Sequence, residues 1–310
     1  MAAHNSRRYI APVETSQATV GRASLLIALS ALGFGSISVL TLLITDAGLS
    51  LMTAMAWRYV IASFVLAAIA PLDQLRSIPR FKILRLILIG GFGQAMITYM
   101  SLYALNYIPV GPLAFLFYTY PAWVALLGAV RRTERLTLVR VIALTMALAG
   151  VTIMIGAPTA EKLHPIGTAL ALGSALLYTI YLPTLQHVQQ GIPAMLSAFL
   201  LVVGAGLSFT LVTLLAGNMQ LPGEPTLWFN LILLSMVSTV VAFSALIKGL
   251  AVLGPVRTSI IATVEPFFTA ILGVLVLNDR LTAATLTGGV LIAGAVILIQ
   301  WSSGRVEATA

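Results

Sequence analysis

The sequence predicts an all-α integral membrane protein, with ten transmembrane helices arranged as two inverted five-helix repeats. Three observations lead to this fold class. The chain of 310 residues is 59% hydrophobic and only 8% charged, whereas soluble domains carry about 25% charged residues. Apolar runs of membrane-spanning length recur along the whole chain. One motif that contains polar residues also occurs twice, at a constant offset of 145 residues.

The apolar runs define ten candidate spans. Each is about 20 residues long, which is enough for a helix to cross about 30 Å of hydrocarbon. Helices are expected because a chain in lipid must satisfy its backbone hydrogen bonds internally. The connections are too short to hold a soluble domain. The runs occupy residues 23–45, 51–70, 83–107, 110–130, 137–157, 165–185, 193–216, 227–248, 255–277 and 283–301.

The repeated motif relates the two halves of the chain. Chance similarity between apolar helices does not explain a polar sequence that recurs at the same distance after a proline. Five spans separate the two copies, and because five is an odd number the second copy is expected to be inverted. The predicted organisation is an N-terminal tail (1–22), a first repeat (23–157), a second repeat (163–301) and a C-terminal tail (302–310). The motif pairs Pro121, Ala125, Gly128, Glu134, Arg135, Leu136 and Thr137 with Pro266, Ala270, Gly273, Asp279, Arg280, Leu281 and Thr282.

Basic residues predict the orientation of the chain. If the spans alternate in direction, only Lys162 and Arg280 fall on one side, and the other loop and tail residues of this type fall on the opposite side. The positive-inside rule then places both termini in the cytoplasm, in a multi-pass protein of the cytoplasmic membrane. Because the charges are scattered over helix ends, a nucleic-acid partner is not expected. The cytoplasmic set is Arg7, Arg8, Arg22, Arg76, Arg80, Lys82, Arg85, Arg131, Arg132, Arg135, Arg140, Lys248, Arg257 and Arg305.

These motifs resemble those of the EamA family in the drug/metabolite transporter superfamily. The resemblance is carried by Tyr120-Pro121 with the sequence 134–137, and by Glu265-Pro266 with Gly273 and the sequence 279–282. Arg58 also fits the family pattern, and Asp279 stands where the family more often has Glu. The resemblance covers nearly the whole chain. It implies ten helices, cytoplasmic termini and movement of small metabolites, often export of amino acids or related compounds.

Glu265 is the leading candidate for a functional residue. It lies about ten residues into its run, hence about 15 Å along the helix and near the membrane midplane. A carboxylate there costs about 2.5–3.5 kcal/mol, so it must face a wet cavity, meet a cation or remain protonated. It could bind a substrate ammonium group or carry a coupling proton. Alternatively, it could be structural and hydrogen-bond backbone groups freed by Pro266. Its counterpart in the first repeat is the neutral Tyr120.

Three further residues have both a functional and a structural interpretation. Pro121 and Pro266 each lack a backbone donor, so both are expected to kink their helices. The kinks could be hinges that bend during transport or fixed features of packing. Arg58 lies seven residues into its run. We expect its side chain to extend to the outer interface, and a site for a substrate carboxylate is the alternative.

Polar and aromatic residues at helical spacing predict which faces of the spans meet. In membranes such residues usually mediate helix contacts. Taken together, they predict a shared cavity with hydroxyl groups, aromatic rings and few charges, which favours an amphipathic or zwitterionic solute. The candidate substrate-binding residues, with Glu265, are Ser38, Gln94, Thr98, Tyr99, Tyr118, Tyr120, Tyr178, Thr239 and Ser244.

Three classes of function occur among multi-pass membrane proteins: enzyme, channel and transporter. A membrane-embedded enzyme needs acidic metal ligands or a Cys or His nucleophile, but the chain has no cysteine and its three histidines lie outside the runs. No metal or other cofactor is therefore expected. A channel is normally an oligomer around an axis. An inverted repeat within one chain argues against that arrangement. The favoured hypothesis is a secondary transporter that moves a small-molecule substrate by alternating access. Its expected partners are membrane lipid and a proton as the candidate coupling ion, and a monomer or weak homodimer is expected.

Overall fold

The computed structural model describes residues 17–108, 110–133, 137–156, 164–278 and 282–306. Within these ranges every regular element is a helix, which confirms the predicted all-α class. Much of the repeated loop motif, Glu134 to Leu136 and Asp279 to Leu281, lies outside the described residues. In the described part of the chain, eight helical stretches are long and apolar enough to cross a membrane, and two shorter apolar helices, Glu265–Leu277 and Ala283–Ile299, accompany them.

The helices form ten spans in chain order. Span 3 and span 8 each contain a π-helical segment, and span 4 and span 9 are each interrupted. Spans 1 and 2 are Gln17–Asp46 and Leu51–Ile69. Span 3 is Arg80–Leu88, Ile89–Gln94 and Ala95–Ala104; span 4 is Val110–Phe117 and Tyr120–Val130. Spans 5, 6 and 7 are Leu138–Ile155, Pro165–Val188 and Ala194–Leu215. Span 8 starts with Pro225–Ser235 and Met236–Val241, and Ala242–Ala262 continues into span 9, which ends with Glu265–Leu277. Span 10 is Ala283–Val306.

Spans 8 and 9 are two helices, as predicted, but the junction between them is shorter than the predicted gap at residues 249–254. Residues 249–253 are helical, and only Gly254 departs from helical geometry, with φ 76° and ψ 170°. Residues other than glycine rarely adopt this backbone conformation. Pro255 follows directly and is suited to begin a helix because its φ is fixed and no donor is needed there. The chain therefore turns between two membrane spans at a single residue.

We expect Gly254→Ala to destabilise the protein by about 1–3 kcal/mol, because alanine must adopt the strained conformation. Thermal unfolding in detergent measures the change. Gly21→Ala is the matched control, because Gly21 lies within span 1 and a methyl group added there would meet no atom within 4 Å. That change should be neutral or stabilising by up to about 1 kcal/mol. Equal melting temperatures for Gly254→Ala and the wild type would contradict the strain argument.

The interruptions occur at equivalent places in the two halves. Span 4 is interrupted at residues 118–119 and span 9 at residues 263–264, and in both a proline follows as the second residue of the next helix. The π-helical segments of spans 3 and 8, Ile89–Gln94 and Met236–Val241, also correspond closely. Both kinks are thus present beside Pro121 and Pro266, where each proline removes a backbone donor. Whether the kinks bend in function remains a prediction.

The helix ends that carry most basic residues meet at one end of the bundle, here called the basic end. The Lys82 ammonium at the start of span 3 donates to the Gln190 carbonyl after span 6, at 3.1 Å. At the other end, here called the opposite end, Trp57 of span 2 donates to the Gln220 carbonyl after span 7, at 3.0 Å. Both contacts agree with spans that alternate in direction.

Candidate functional site

A cavity of about 480 Å³ lies between the two halves of the bundle and extends toward the opposite end. Its mouth includes Leu42 and Leu105, which are 43% and 38% exposed. On the basic side of this cavity, buried aliphatic side chains of spans 6 to 9 pack against one another, and a separate cavity lies at the basic end itself. The packed side chains include Leu182, Leu185, Leu196, Leu250, Leu253, Ile260 and Ile261. The cavity is therefore accessible from one end of the bundle and closed at the other.

Equivalent residues of the two repeats differ in burial. Leu105 and Leu113 line the cavity in the first half. Their counterparts at the repeat offset, Leu250 and Thr258, are buried, at 0% and 1% exposure. Residues with equivalent places in the two halves are thus open in one half and packed in the other.

Glu265 lies in the cavity wall, at the first position of the helix that follows the interruption in span 9. Its side chain is only partly buried, so it reaches the cavity space. It interacts with the Tyr118 hydroxyl, and Tyr120 and Tyr178 are close enough to interact with its charge. No ion pair forms with Glu265 among the residues that the structure describes. The helix N-terminus favours its negative charge by about 0.3–1 kcal/mol.

Aromatic rings pack beside the carboxylate. The Tyr120 and Tyr178 rings meet edge to face, with their centroids 4.7 Å apart. Phe117 lies 5.4 Å from Tyr120 and 5.7 Å from Tyr178, centroid to centroid. Aromatic faces attract cations through the ring quadrupole. A carboxylate next to tyrosine rings is therefore a suitable environment for an organic ammonium group.

A close approach of span 1 positions Glu265. The Thr269 hydroxyl donates to the carbonyl oxygens of Gly35 and Glu265, each at 3.1 Å. A methyl group on Gly35 would lie 3.0 Å from the Glu265 carbonyl oxygen. Because glycine leaves this space empty, the backbones of spans 1 and 9 can approach at the level of the cavity.

Arg58 does not extend to the outer interface as expected. It is 3% exposed and lies in the cavity wall. Its Nε donates to the Thr239 hydroxyl at 2.6 Å, and its Nη2 donates to the Ser238 carbonyl at 2.8 Å. The expectation was wrong because span 8 offers hydrogen-bond acceptors inside the bundle, which the position of Arg58 along span 2 does not reveal.

The other predicted site residues divide into two groups. Ser38, Gln94, Thr98, Tyr120 and Tyr178 line the cavity together with Glu265 and Arg58. Four residues lie outside its wall: Tyr118 behind Glu265, Thr239 behind Arg58, the buried Ser244, and Tyr99, which is 43% exposed and stacks on Tyr103.

Four aromatic residues in the wall were missing from the sequence-based set. They are Phe34, Tyr59, Phe117 and Phe243. Phe243 packs edge to face on Phe34, with a centroid distance of 5.2 Å. In a chain that is apolar on all helix faces, no sequence signal separates such rings from lipid-facing ones. A second cavity of about 450 Å³ at the basic end, beside Arg131 and His187, contains none of the predicted site residues.

The fold and the site define a helical, multi-pass membrane protein with a cavity of solute size between its two halves. A family model described as the EamA-like transporter family matches residues 21–156 and again residues 165–301. The chain belongs to this family, which lies in the drug/metabolite transporter superfamily. The double match confirms the two-repeat architecture, and the protein is a transporter of small molecules rather than an enzyme.

Comparison with other proteins adds the fold alone. A solved structure, described only as the crystal structure of a protein, has a TM-score of 0.74 to this chain. The similarity covers 93% of this chain and 99% of the other chain, at 17% sequence identity. No curated protein sequence matches the chain.

Proposed function

We propose that this protein exports amino acids or related amphipathic, zwitterionic metabolites across the cytoplasmic membrane by alternating access. The observation that carries the proposal is a partly buried carboxylate, Glu265, that lines a cavity with aromatic walls and has no cation partner among the described residues. The cavity volume is in the range typical of small-molecule sites. The substrate ammonium group takes the place of the missing cation.

The other site residues have proposed roles that follow from their places. Tyr118 orients the Glu265 carboxylate, and Tyr120 and Tyr178 pack against the ammonium group. Ser38, Gln94 and Thr98 offer hydrogen bonds along the cavity wall. Behind the wall, Thr239 and Ser244 support helix packing, and Tyr99 stacks on Tyr103 of its own helix. When no solute is bound, a proton neutralises the Glu265 carboxylate, which makes H⁺ the proposed coupling ion.

The structure corresponds to an outward-facing state if the basic end is cytoplasmic, as the positive-inside rule predicts. Both termini then lie in the cytoplasm. Transport proceeds when the opposite end closes and the aliphatic packing between spans 6 and 9 separates. The protein acts as a monomer or weak homodimer, because both halves of the cavity come from one chain.

Counterflow in proteoliposomes tests this function. The purified protein is reconstituted, and a panel of amino acids and purines competes for exchange of a labelled amino acid. Saturable exchange that is inhibited by zwitterions supports the proposal. Flux that is linear with concentration indicates a channel or uncoupled facilitator, and exchange inhibited only by purines excludes amino acids as the substrate class.

Pro266 is proposed to act as a hinge, so Pro266→Ala should change the transport rate at least about threefold. The free energy of unfolding should change by no more than about 1 kcal/mol, since proline at the first turn mainly restricts the unfolded chain. Transport rate and thermal unfolding are measured together, and Pro121→Ala provides the matched variant in the other half. A transport rate equal to that of the wild type would show that Pro266 is not a hinge and only shapes the packing of its helix.

A further inference from the structure

We infer that Arg58 binds the anionic group of the transported solute, and that the same side chain holds the π-helical segment of span 8 when the site is empty. The inference rests on the proposed function, which assigns the ammonium group to Glu265. It adds the second recognition element, and hence the substrate class: solutes that carry both an ammonium group and a carboxylate or similar oxyanion.

The charge of Arg58 is incompletely compensated. Its two short hydrogen bonds go to neutral oxygens, its Nη1 donates to the Met55 sulfur at 3.7 Å, and the guanidinium lies over the neutral Tyr59 ring, 5.0 Å from the centroid. No acidic side chain pairs with it in the described part of the chain. A buried cation without an anion is costly. A guanidinium group is also a planar fork that matches the two oxygens of a carboxylate. An anionic ligand therefore completes this site.

Glu265 lies in the same cavity and, among the described residues, lacks a cationic partner, just as Arg58 lacks an anionic one. Both residues belong to its wall, one from span 2 and one from span 9. Neither charge is paired within the described chain, and they are not paired with each other. A solute with an ammonium group at one point and an oxyanion at another neutralises both charges at once. A simple amine or a simple anion would satisfy only one.

The contacts of Arg58 link ligand binding to a non-standard helix segment. Ser238 and Thr239, its two oxygen partners, both lie in Met236–Val241. Ser238 is held from a second direction by the Ser36 hydroxyl of span 1, at 2.8 Å. Such π-helical segments are rare and frequently occur at functional sites. A carboxylate on the guanidinium competes with the Ser238 carbonyl and the Thr239 hydroxyl for the same donors, so binding weakens the attachment of span 2 to span 8.

The other half of the molecule shows that this helix crossing does not require a charge. The π-helical segment of span 3, Ile89–Gln94, is crossed by span 7. There the Leu201 backbone lies directly against Gly90. The two crossings are related by the internal repeat, yet only one contains an arginine. The structural task can be met by glycine, so the arginine serves the cavity.

The test compares a zwitterion with an amine that lacks only its carboxylate. L-Phenylalanine and 2-phenylethylamine compete for counterflow in proteoliposomes containing wild type, Arg58→Gln or Arg58→Lys. We expect Arg58→Gln to weaken the apparent affinity for phenylalanine at least about 30-fold. This is the loss typical of removing one partner of a buried charge pair. The affinity for 2-phenylethylamine should change less than about threefold. Arg58→Lys keeps the charge but not the fork, so an intermediate loss confined to phenylalanine is expected.

Arg85→Gln is the matched control, because Arg85 packs over the Phe81 ring near the basic end, outside the cavity. Melting temperatures in detergent monitor folding of every variant. If Arg58→Gln or Arg58→Lys weakens both ligands equally, or leaves phenylalanine unchanged, the inference is wrong while the proposed function stands. If the wild type exchanges no zwitterion of the amino-acid panel, the proposed function is wrong and the inference falls with it.

Discussion

Glu265→Gln is expected to lower the rate of zwitterion transport at least about 30-fold at low solute concentration. The substitution keeps the size and most hydrogen bonds of the side chain but removes the charge that compensates a substrate ammonium group. Losing one member of a desolvated charge pair typically costs at least about 2 kcal/mol, which corresponds to this factor. The dependence of the transport rate on pH should also flatten, because the group that accepts the coupling proton is gone. Initial rates in proteoliposomes over a range of pH values measure both effects.

Glu224→Gln is the matched control for this experiment. Glu224 is an exposed carboxylate that precedes span 8 and makes no side-chain capping hydrogen bond. Its removal should leave transport at the wild-type rate. The melting temperature of Glu265→Gln should stay close to that of the wild type, since the amide keeps the size of the side chain and the carboxyl group of the empty site is already neutral. Wild-type transport by Glu265→Gln across the whole pH range would remove this residue from the mechanism.

The accessibility of single cysteines should differ at least about tenfold between equivalent positions of the two repeats. The natural chain has no cysteine, so all maleimide labelling of a variant comes from the introduced cysteine. Leu105→Cys lies at the open mouth, and its counterpart Leu250→Cys lies in packed core. Cysteine reacts as an exposed thiolate. A membrane-impermeant maleimide should therefore label Leu105→Cys rapidly from the outside of the cell and leave Leu250→Cys unlabelled.

A saturating substrate provides the internal control for that experiment. Transport substrates shift the protein between its two states, so labelling of Leu105→Cys should slow and labelling of Leu250→Cys from the cytoplasmic side should rise. Labelling of Leu105→Cys only from the cytoplasmic side would reverse the predicted orientation. Equal labelling of both positions in the absence of substrate would contradict a cavity that is open at one end.

The sequence predicts the fold class, the ten-span plan and the internal repeat, because these depend on composition and on a motif of fixed spacing. It also predicts that Glu265, Gln94 and Thr98 face the same space, because polar groups in lipid have few alternatives. The direction of an individual side chain is harder to predict. Tyr99 follows Thr98 by one residue and so points about 100° away from it on the helix, which takes it off the cavity wall.

Two local features explain other differences between prediction and structure. The π-helical segments of spans 3 and 8 interrupt the helical spacing on which polar stripes are judged, and their hydrogen-bond pattern leaves no clear residue signal. Arg58 could have reached the interface from its position in span 2. Its actual direction is decided by Ser238 and Thr239, which are distant in sequence. Such tertiary partners are not visible in the local sequence.

The pairing of Glu265 with the neutral Tyr120 has a kinetic consequence. After releasing its solute, the carrier must return across the bilayer with a Glu265 carboxylate and an Arg58 guanidinium that have both lost their ligand partners. Moving an uncompensated charge through a sealed, poorly hydrated intermediate is slow. The return is faster with a second solute aboard or with a proton on the carboxylate. Exchange of one solute molecule for another should therefore be faster than one-way efflux. An inward proton gradient should reduce the difference between these two rates.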